Sequence, residues 1–497
     1  MAAGFSKMRQ SSAVILRRRE APGAVYLVER DPKLAFFGGY WAFPGGVVDA
    51  ADADAQLATT DAPFVAAAAR ELFEETGVLC VHDAARVAPE ERLRWRRQSC
   101  DGAIRFADIV TRCGGIRSGS FVPVCRLTTP GFAPVRYDTI FFLVDLPDGE
   151  APAIEPGELT AGEFMTAAHA LERWNRGTIA IVPPAIILLK LLAAASDTAT
   201  FLAAGQRLTA EYARGKIQQV FFSPGVRKLT LLTETLPPAD HTNAYLVGGE
   251  VLYLVDPGAT RADEHARLFE ALDEAQATGA RLAAVLLTHH HPDHMSAAAA
   301  VAARYGVRVW AHEETAQALA GRVEIARRLA DGDCLPLGTS PDGRGDWKLE
   351  VLHTPGHARG HLTFRESRYG AILAGDMIST ASTVVIEPPG GHMKTYLASL
   401  ARLRALPKGT LYPAHGPAQR DSHAVLDRYL AHRAMRERKI VAALAGEPRS
   451  LDDILSRAYD DVGPEVAALA RLSLRAGLIK LCEDRVAVEV GDRFRLR

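Results

Sequence analysis

The chain has 497 residues, 48% of them hydrophobic, and a formal net charge of -1. That length exceeds one ordinary core, so two or three domains are expected, and the near-neutral balance argues against a surface built for non-specific nucleic-acid binding. The cysteines Cys80, Cys100, Cys113, Cys125, Cys334 and Cys482 are scattered without a C-x-x-C pair, which argues against a disulfide framework or thiolate zinc knuckle and fits a reducing cytoplasm.

No membrane segment is expected. The apolar stretch 12–16 is too short for a secretory signal and runs into Arg17-Arg18-Arg19. The longest apolar run, 179–195, is broken by Pro183-Pro184 and contains Lys190.

In chain order, residues 13–29 alternate as two short strands around a turn at Pro22-Gly23. Phe36-Phe37-Gly38-Gly39-Tyr40-Trp41-Ala42-Phe43-Pro44-Gly45-Gly46 follows, and after an acidic, alanine-rich loop residues 66–78 read as a helix closed by Gly77. Glu71, Glu74 and Glu75 stand at i, i+3 and i+4 on one helical face. Like charges stacked this way cost roughly a few tenths of a kcal/mol per pair. A hard cation, Mg²⁺ or Mn²⁺, would neutralise them and bridge to substrate phosphates; an ordinary acidic amphipathic helix is the alternative.

These residues resemble the Nudix box, R-E-x-x-E-E-x-G after an upstream Gly-Gly. The resemblance implies that Glu71, Glu74 and Glu75 are catalytic metal ligands, that Arg70 pairs with one of them, and that a carbonyl of Gly45 or Gly46 completes the shell. The gap from Gly46 to Arg70 is about ten residues longer than the family's usual spacing, and Asp49, Asp52 and Asp54 stand in place of its additional Glu. The expanded box is similar to the branch containing peroxisomal coenzyme A diphosphatases. That similarity extends through the Phe-Pro-Gly-Gly approach, Thr129-Pro130 to Arg136-Tyr137-Asp138-Thr139 before the strand 140–144, and Pro183-Pro184 before a closing helix. Ala35 stands where the coenzyme A motif has an Arg. Arg92, Arg94, Arg96 and Arg97 read as a solvated helix face, with contact to a phosphorylated ligand as the alternative.

Residues 201–227 lack a strand pattern and are expected to be a linker. Beyond them 229–232, 244–247 and 251–255 read as consecutive strands, the last ending in Asp256-Pro257-Gly258. The apolar run 282–287 then leads into Thr288-His289-His290-His291-Pro292-Asp293-His294, and the alanine-rich residues 296–305 suit a helix, so the cluster occupies a strand-to-helix loop. A metal ion satisfies such imidazoles and carboxylate together, where burying them uncompensated is expensive; a surface histidine run is the alternative. Downstream come His353-Thr354-Pro355-Gly356-His357, Ala371-Ile372-Leu373-Ala374-Gly375-Asp376 and Tyr412-Pro413-Ala414-His415-Gly416, each where an apolar strand meets a Gly-containing loop.

The H-x-H-x-D-H spacing resembles the metallo-β-lactamase superfamily. The resemblance implies a dinuclear site, with His289, His291 and His357 on one metal, Asp293, His294 and His415 on the other, Asp376 bridging, and Asp256 bracing the metal loop. Asp293 is expected to be catalytic. Imidazole and carboxylate donors favour two Zn²⁺ ions, with Mn or Fe as alternatives. His290, His353 and His361 are expected to bracket the site structurally.

The tail from about residue 429 reads as three helices and a β-ribbon, an order that resembles a winged helix. Together with His432-Arg433 and Arg436-Glu437 it is similar to the lactamase-like branch that includes a mitochondrial single-strand endoribonuclease and fungal thioesterases. Its basic and acidic residues nearly cancel, which points to packing or homodimerisation at least as much as to nucleic-acid binding.

The expected fold is therefore a multidomain α/β and α+β chain. It comprises a Nudix α/β/α sandwich over 1–200, a linker over 201–227, a metallo-β-lactamase αββα sandwich over 228–428, and a winged-helix-like domain over 429–497. The expected function is a bifunctional, cytoplasmic hydrolase: a diphosphatase for a coenzyme A or nucleoside diphosphate derivative, joined to a dinuclear-zinc hydrolase of an acyl-coenzyme A thioester or similar ester. The alternatives are RNA processing by a lactamase-fold endoribonuclease and a winged-helix nucleic-acid-binding regulator.

Overall fold

The computed structural model describes residues 8–20, 23–34, 37–55, 57, 61–129 and 135–497. The expected turn residue Pro22, Phe36, Ala35 and the stretch 130–134 lie outside the described residues. The chain forms two compact units, one spanning 5–216 with 220–222, the other 223–497 with 217–219.

In the N-terminal unit, strands Arg9–Arg17 and Ala24–Arg30 pair antiparallel. Tyr137–Asp145 adds parallel to the first and Val122–Thr128 antiparallel beyond it. The two-residue period of a strand divides the side chains between faces. Val14, Leu16, Tyr26 and Val28 join Phe64, Leu72 and Phe73 of the helix Ala62–Thr76 in one core. Ala13, Ile15, Val25 and Leu27 join Trp174, Ile186 and Leu189 of the helices Ala167–Asn175 and Pro183–Ala194 in the other. The result is a sheet sandwiched between helical layers.

Helix Ala62–Thr76 ends where expected: Gly77 takes φ 76° and donates its N–H to the Phe73 carbonyl. The expected linker 201–227 is different. Residues Thr198–Ala213 form a helix, N-capped by Asp197 accepting from the Thr200 N–H at 2.7 Å. Its Phe201 is buried in the same core as Val124 and Leu127. Helical period orders the first part of this segment, while Val220–Ser223 and the start of Val226–Leu232 are strand, so the N-terminal unit runs past residue 200.

The second unit stacks two sheets. One runs in the order Ile325–Arg328, Arg308–Ala311, Arg281–Leu286, Val251–Val255, His241–Gly248, Val226–Leu232. The other runs Cys334–Gly338, Trp347–His353, Leu362–Glu366, Ile372–Ser379, Leu411–His415. Leu229, Leu231, Leu246, Leu252 and Leu254 turn outward onto Leu268 and Leu272 of the helix Ala262–Ala277. Tyr245, on the alternate face, meets Tyr412 of the second sheet edge-on at 5.5 Å between ring centroids. Helix Met393–Ala405 covers the second sheet through Tyr396, Leu400 and Leu403. Every expected ligand loop leaves the end of one of these strands, apart from Asp376, which sits within Ile372–Ser379.

The tail contains helices Ser422–Ala443, Leu451–Ala458 and Ala467–Glu483 and a small sheet of Arg449–Ser450, Arg493–Leu496 and Ala487–Val490. The boundary expected at 428/429 falls inside the unbroken helix Ser422–Ala443, which starts where Asp421 caps the Ala424 N–H. Ile440, Leu444, Ile454, Leu474, Leu478, Leu481 and Phe494 form the tail's own core. Val425, Leu426 and Ala476 share a core with Tyr396 and Leu411 of the hydrolase body, and the Tyr429 hydroxyl accepts from the Ser379 N–H at 2.8 Å. The tail therefore packs as one unit with that body. Among the described residues, no helix is long and apolar enough to cross a membrane.

Candidate functional site

In the second unit the seven expected ligands converge as two groups. His289, His291, His357 and Asp376 form one, Asp293, His294 and His415 the other, with ligand atoms within 4.8 Å of one another in each. Asp376 faces both: its Oδ2 lies 3.5 Å from His357 Nε2, while its Oδ1 lies 3.4 Å from His415 Nε2 and 3.6 Å from His294 Nε2. Asp293 Oδ2 lies 3.5 Å from His415 Nε2.

The far side of most rings is tied down, which fixes what the near side offers. His357 Nδ1 donates to the Val385 carbonyl at 2.9 Å and His415 Nδ1 to the His241 carbonyl at 2.8 Å. His294 Nδ1 lies 2.9 Å from Asp256 Oδ2, and His289 Nδ1 2.9 Å from Thr288 Oγ1. Each of these leaves Nε2 turned inward. His291 instead presents Nδ1, 2.8 Å from His289 Nε2 and 3.0 Å from His357 Nε2.

Burial and neighbouring imidazoles hold His289 well below its ordinary pKa and lower that of His291. Burial opposes a charge on His294, yet Asp376, Asp293 and Asp256 hold its pKa well above the usual value. His294 Nε2 and Asp376 Oδ1 are both buried without a hydrogen-bond partner. Converging lone pairs, orphaned buried atoms and a donor set of imidazoles and carboxylates fit a pair of transition ions.

The chain builds this convergence through close approaches. Asp256 sits at φ 51°, a strained setting for a residue with a side chain, and its carboxylate accepts from both the N–H and the hydroxyl of Thr288, at 2.8 and 2.7 Å. A Cβ on Gly258 would fall 1.6 Å from the Asp293 carbonyl oxygen, so that turn requires glycine. His361, fully buried, accepts from the Asp376 N–H at 3.1 Å and thus positions Asp376.

Sequence reasoning missed Asn243, which donates to the Pro413 and Gly416 carbonyls at 2.9 and 2.8 Å, and Tyr245, whose hydroxyl donates to Pro413. Both hold the His415 loop. Polar residues inside the otherwise apolar strand His241–Gly248 were the available signal. Also missed was the cavity of ≈ 720 Å³ above the histidines, whose wall includes His432, Arg433, Arg436 and residues as far as Ser473.

In the N-terminal unit Arg70 is the hub. Its Nη1 donates to Glu71 at 2.8 Å and Glu74 at 3.0 Å, its Nε to Asp52 at 3.0 Å, and its Nη2 to the Val47 carbonyl at 2.8 Å. Glu75 accepts from the Gly45 N–H at 2.9 Å, and a Cβ on Gly46 would lie 2.4 Å from Glu71 Oε1. Burial pushes Glu71 up to about 7 and Glu75 to about 8. The three glutamates are not among the groups whose ligand atoms converge on one point; Arg70 takes up two of them. The donor chemistry, buried carboxylates beside backbone, suits a hard divalent cation.

In the adjoining helix Pro89–Cys100, Arg94 and Arg97 are exposed as expected of a solvated face, whereas Arg96 and, in part, Arg92 depart from it. Arg96 is buried and donates to the Glu74, Glu75 and Ala153 carbonyls at 2.9, 2.7 and 3.0 Å, closing the end of the glutamate helix. Arg92 pairs with Glu150, Arg97 with Glu155 and Arg94 with Glu91. Ser99, also missed, donates to Glu74 Oε1 at 2.6 Å.

Residues 8–183 match the NUDIX domain model and residues 237–415 the metallo-beta-lactamase superfamily model. Lactamase-like protein aptB of Emericella nidulans is 30% identical over 268 residues, 52% of this chain and 81% of its own. The chain belongs to the metallo-β-lactamase superfamily. It also carries a Nudix domain, and both are hydrolase families. Thioesterase pkgB of Emericella nidulans is 29% identical over 41% of this chain and 54% of its own. A solved NUDIX hydrolase from Alicyclobacillus acidocaldarius covers 41% of this chain and 99% of its own, with 27% identity and a TM-score of 0.36.

Proposed function

We propose that the lactamase-fold unit is a dinuclear-metal hydrolase of a thioester, acyl-coenzyme A or a close relative. The observation that carries this reading is the division of the Asp376 carboxylate between the two ligand groups. His289, His291 and His357 hold one ion and Asp293, His294 and His415 the other, with Zn²⁺ favoured over Mn or Fe by the imidazole donors. Bound there, the ions supply the Lewis acidity that attack on a thioester carbonyl needs. Asp256 and Thr288 keep the His294 and His289 rings oriented, and Asp293 sets its carboxylate beside His415 in the second ligand group. The thioesterase name of a relative supports the substrate class.

The Nudix unit acts as a Mg²⁺ or Mn²⁺ diphosphatase, with Glu71, Glu74 and Glu75 as ligands, Arg70 orienting them, and Gly45 and Gly46 supplying backbone at the site. A coenzyme A derivative is the favoured substrate, because a thioesterase releases the thiol carrier that a diphosphatase then cuts. The tail, with its winged-helix-like element order, serves packing and pocket formation. Three of the basic side chains that an RNA reading would call on have partners within the fold: Arg436 is paired with Asp461, Lys439 with Asp460, and Arg433 is buried against the Val384 carbonyl.

The test incubates pure protein with Mg²⁺ and Zn²⁺ against acylated and free coenzyme A, dinucleotides and single-stranded RNA, and identifies products by mass. Free thiol from the thioester and a diphosphate cut in coenzyme A are expected. Cleavage of RNA alone would replace the reading.

A further inference from the structure

The cavity over the histidines is walled by the tail, and that wall is chemically one-sided. Helix Ala467–Glu483 turns Leu474, Leu478 and Leu481 into the tail's core. Leu469, Ala470 and Ser473, together with Val466 at the N-cap, line the cavity from a second side. Val466, Leu469 and Ala470 remain half-buried. Folding uses the first apolar face and covers Val466, Leu469 and Ala470 only in part.

Two arginines on this wall already have partners. Arg436 holds Asp461 through two bonds of 2.6 and 2.9 Å and donates to the Ala458 carbonyl. Arg433 donates to the Val384 carbonyl and lies 5.2 Å over the Tyr396 ring. The facing loop adds Pro237, Pro238 and Leu236, the last 53% exposed.

We propose that helix Ala467–Glu483 with its N-cap Val466 is the acyl-specificity element of the hydrolase: Val466, Leu469 and Ala470 receive an apolar acyl body, aliphatic or aryl, while its carbonyl lies over the histidine groups. The inference rests on the thioester reading. It assigns the tail a part in choosing substrate, and it makes thioesters of small acyl groups poor substrates.

The test measures kcat/KM of the metal-loaded full chain on acetyl, butyryl, hexanoyl and octanoyl thioesters of one thiol. A rise of at least about tenfold from acetyl to octanoyl is expected. Leu469→Asp should collapse that ratio, and Leu469→Phe, which fills the same space with an apolar ring, should move the optimum to a shorter acyl group. A flat profile in the natural protein, or an unchanged profile in both folded variants, overturns the inference and leaves the thioester reading standing. If no thioester is cleaved, the reading itself fails. Calorimetric binding of octanoate against acetate then decides the wall: octanoate binding lost in Leu469→Asp supports it, and equal or no binding of the two acids overturns it.

Discussion

Asp256 Oδ2 lies 2.9 Å from His294 Nδ1, on the far side of the ring from Asp293 and Asp376. A carboxylate so placed fixes the ring's tautomer and raises its basicity toward a metal, an effect worth about 10–100-fold in affinity. Asp256→Ala is therefore expected to weaken zinc retention by that order while leaving the N-terminal unit's melting unchanged. Competition with a calibrated chelator measures it.

The glutamate helix and the histidine groups belong to separate compact units, so their activities should separate. Glu74→Gln is expected to abolish diphosphate cleavage and spare the second activity, and Asp293→Ala to do the reverse. Product analysis on both substrates decides it; loss of both activities from either change in a folded protein would refute two independent sites.

Arg96 supplies three hydrogen bonds to carbonyls from a buried position. Removing it takes that donor from the Glu74, Glu75 and Ala153 carbonyls, and Arg96→Ala should destabilise the N-terminal unit by about 3 kcal/mol. Urea unfolding followed by Trp fluorescence reads this, and a change below about 0.5 kcal/mol would deny Arg96 its capping role.

Lys228 is wholly buried, and burial lowers its pKa to about 7. Between pH 7 and its ordinary value of 10.5 the unfolded chain binds more protons at this group than the folded one, so its contribution makes stability rise with pH across that window. Lys228→Met should remove this rise and gain most over the natural protein below pH 7, by on the order of a few kcal/mol. Parallel denaturation curves at pH 6.5 and 9.5 give the difference; identical pH slopes for both proteins would show that Lys228 does not titrate in this range.

The sites were legible where chemistry sits in short motifs. His289, His291, Asp293 and His294 fall within one loop, and His357, Asp376 and His415 each follow strand residues that set their direction. Residues that act through backbone carbonyls were not legible. His241 accepts from His415 through its carbonyl oxygen, which any residue type possesses, and Asn243 reaches a loop some 170 positions away in sequence. The helix Thr198–Ala213 lay in a segment read only for strand alternation, whereas Phe201, Leu202, Leu208 and Tyr212 pack on the core at helical spacing. In the tail, element order was readable, but Val466 and Leu469 look like ordinary core until the fold shows which helical face the core leaves over.

The measurement nearest the centre of this account is the metal content of the purified chain, made with adequate zinc and counted by mass spectrometry. Two zinc-like ions per chain are expected, both lost or sharply reduced in His291→Ala and Asp376→Ala, because one carboxylate serves both ligand groups. A chain that carries no transition metal under those conditions, or that keeps two ions after loss of Asp376, would contradict the dinuclear site.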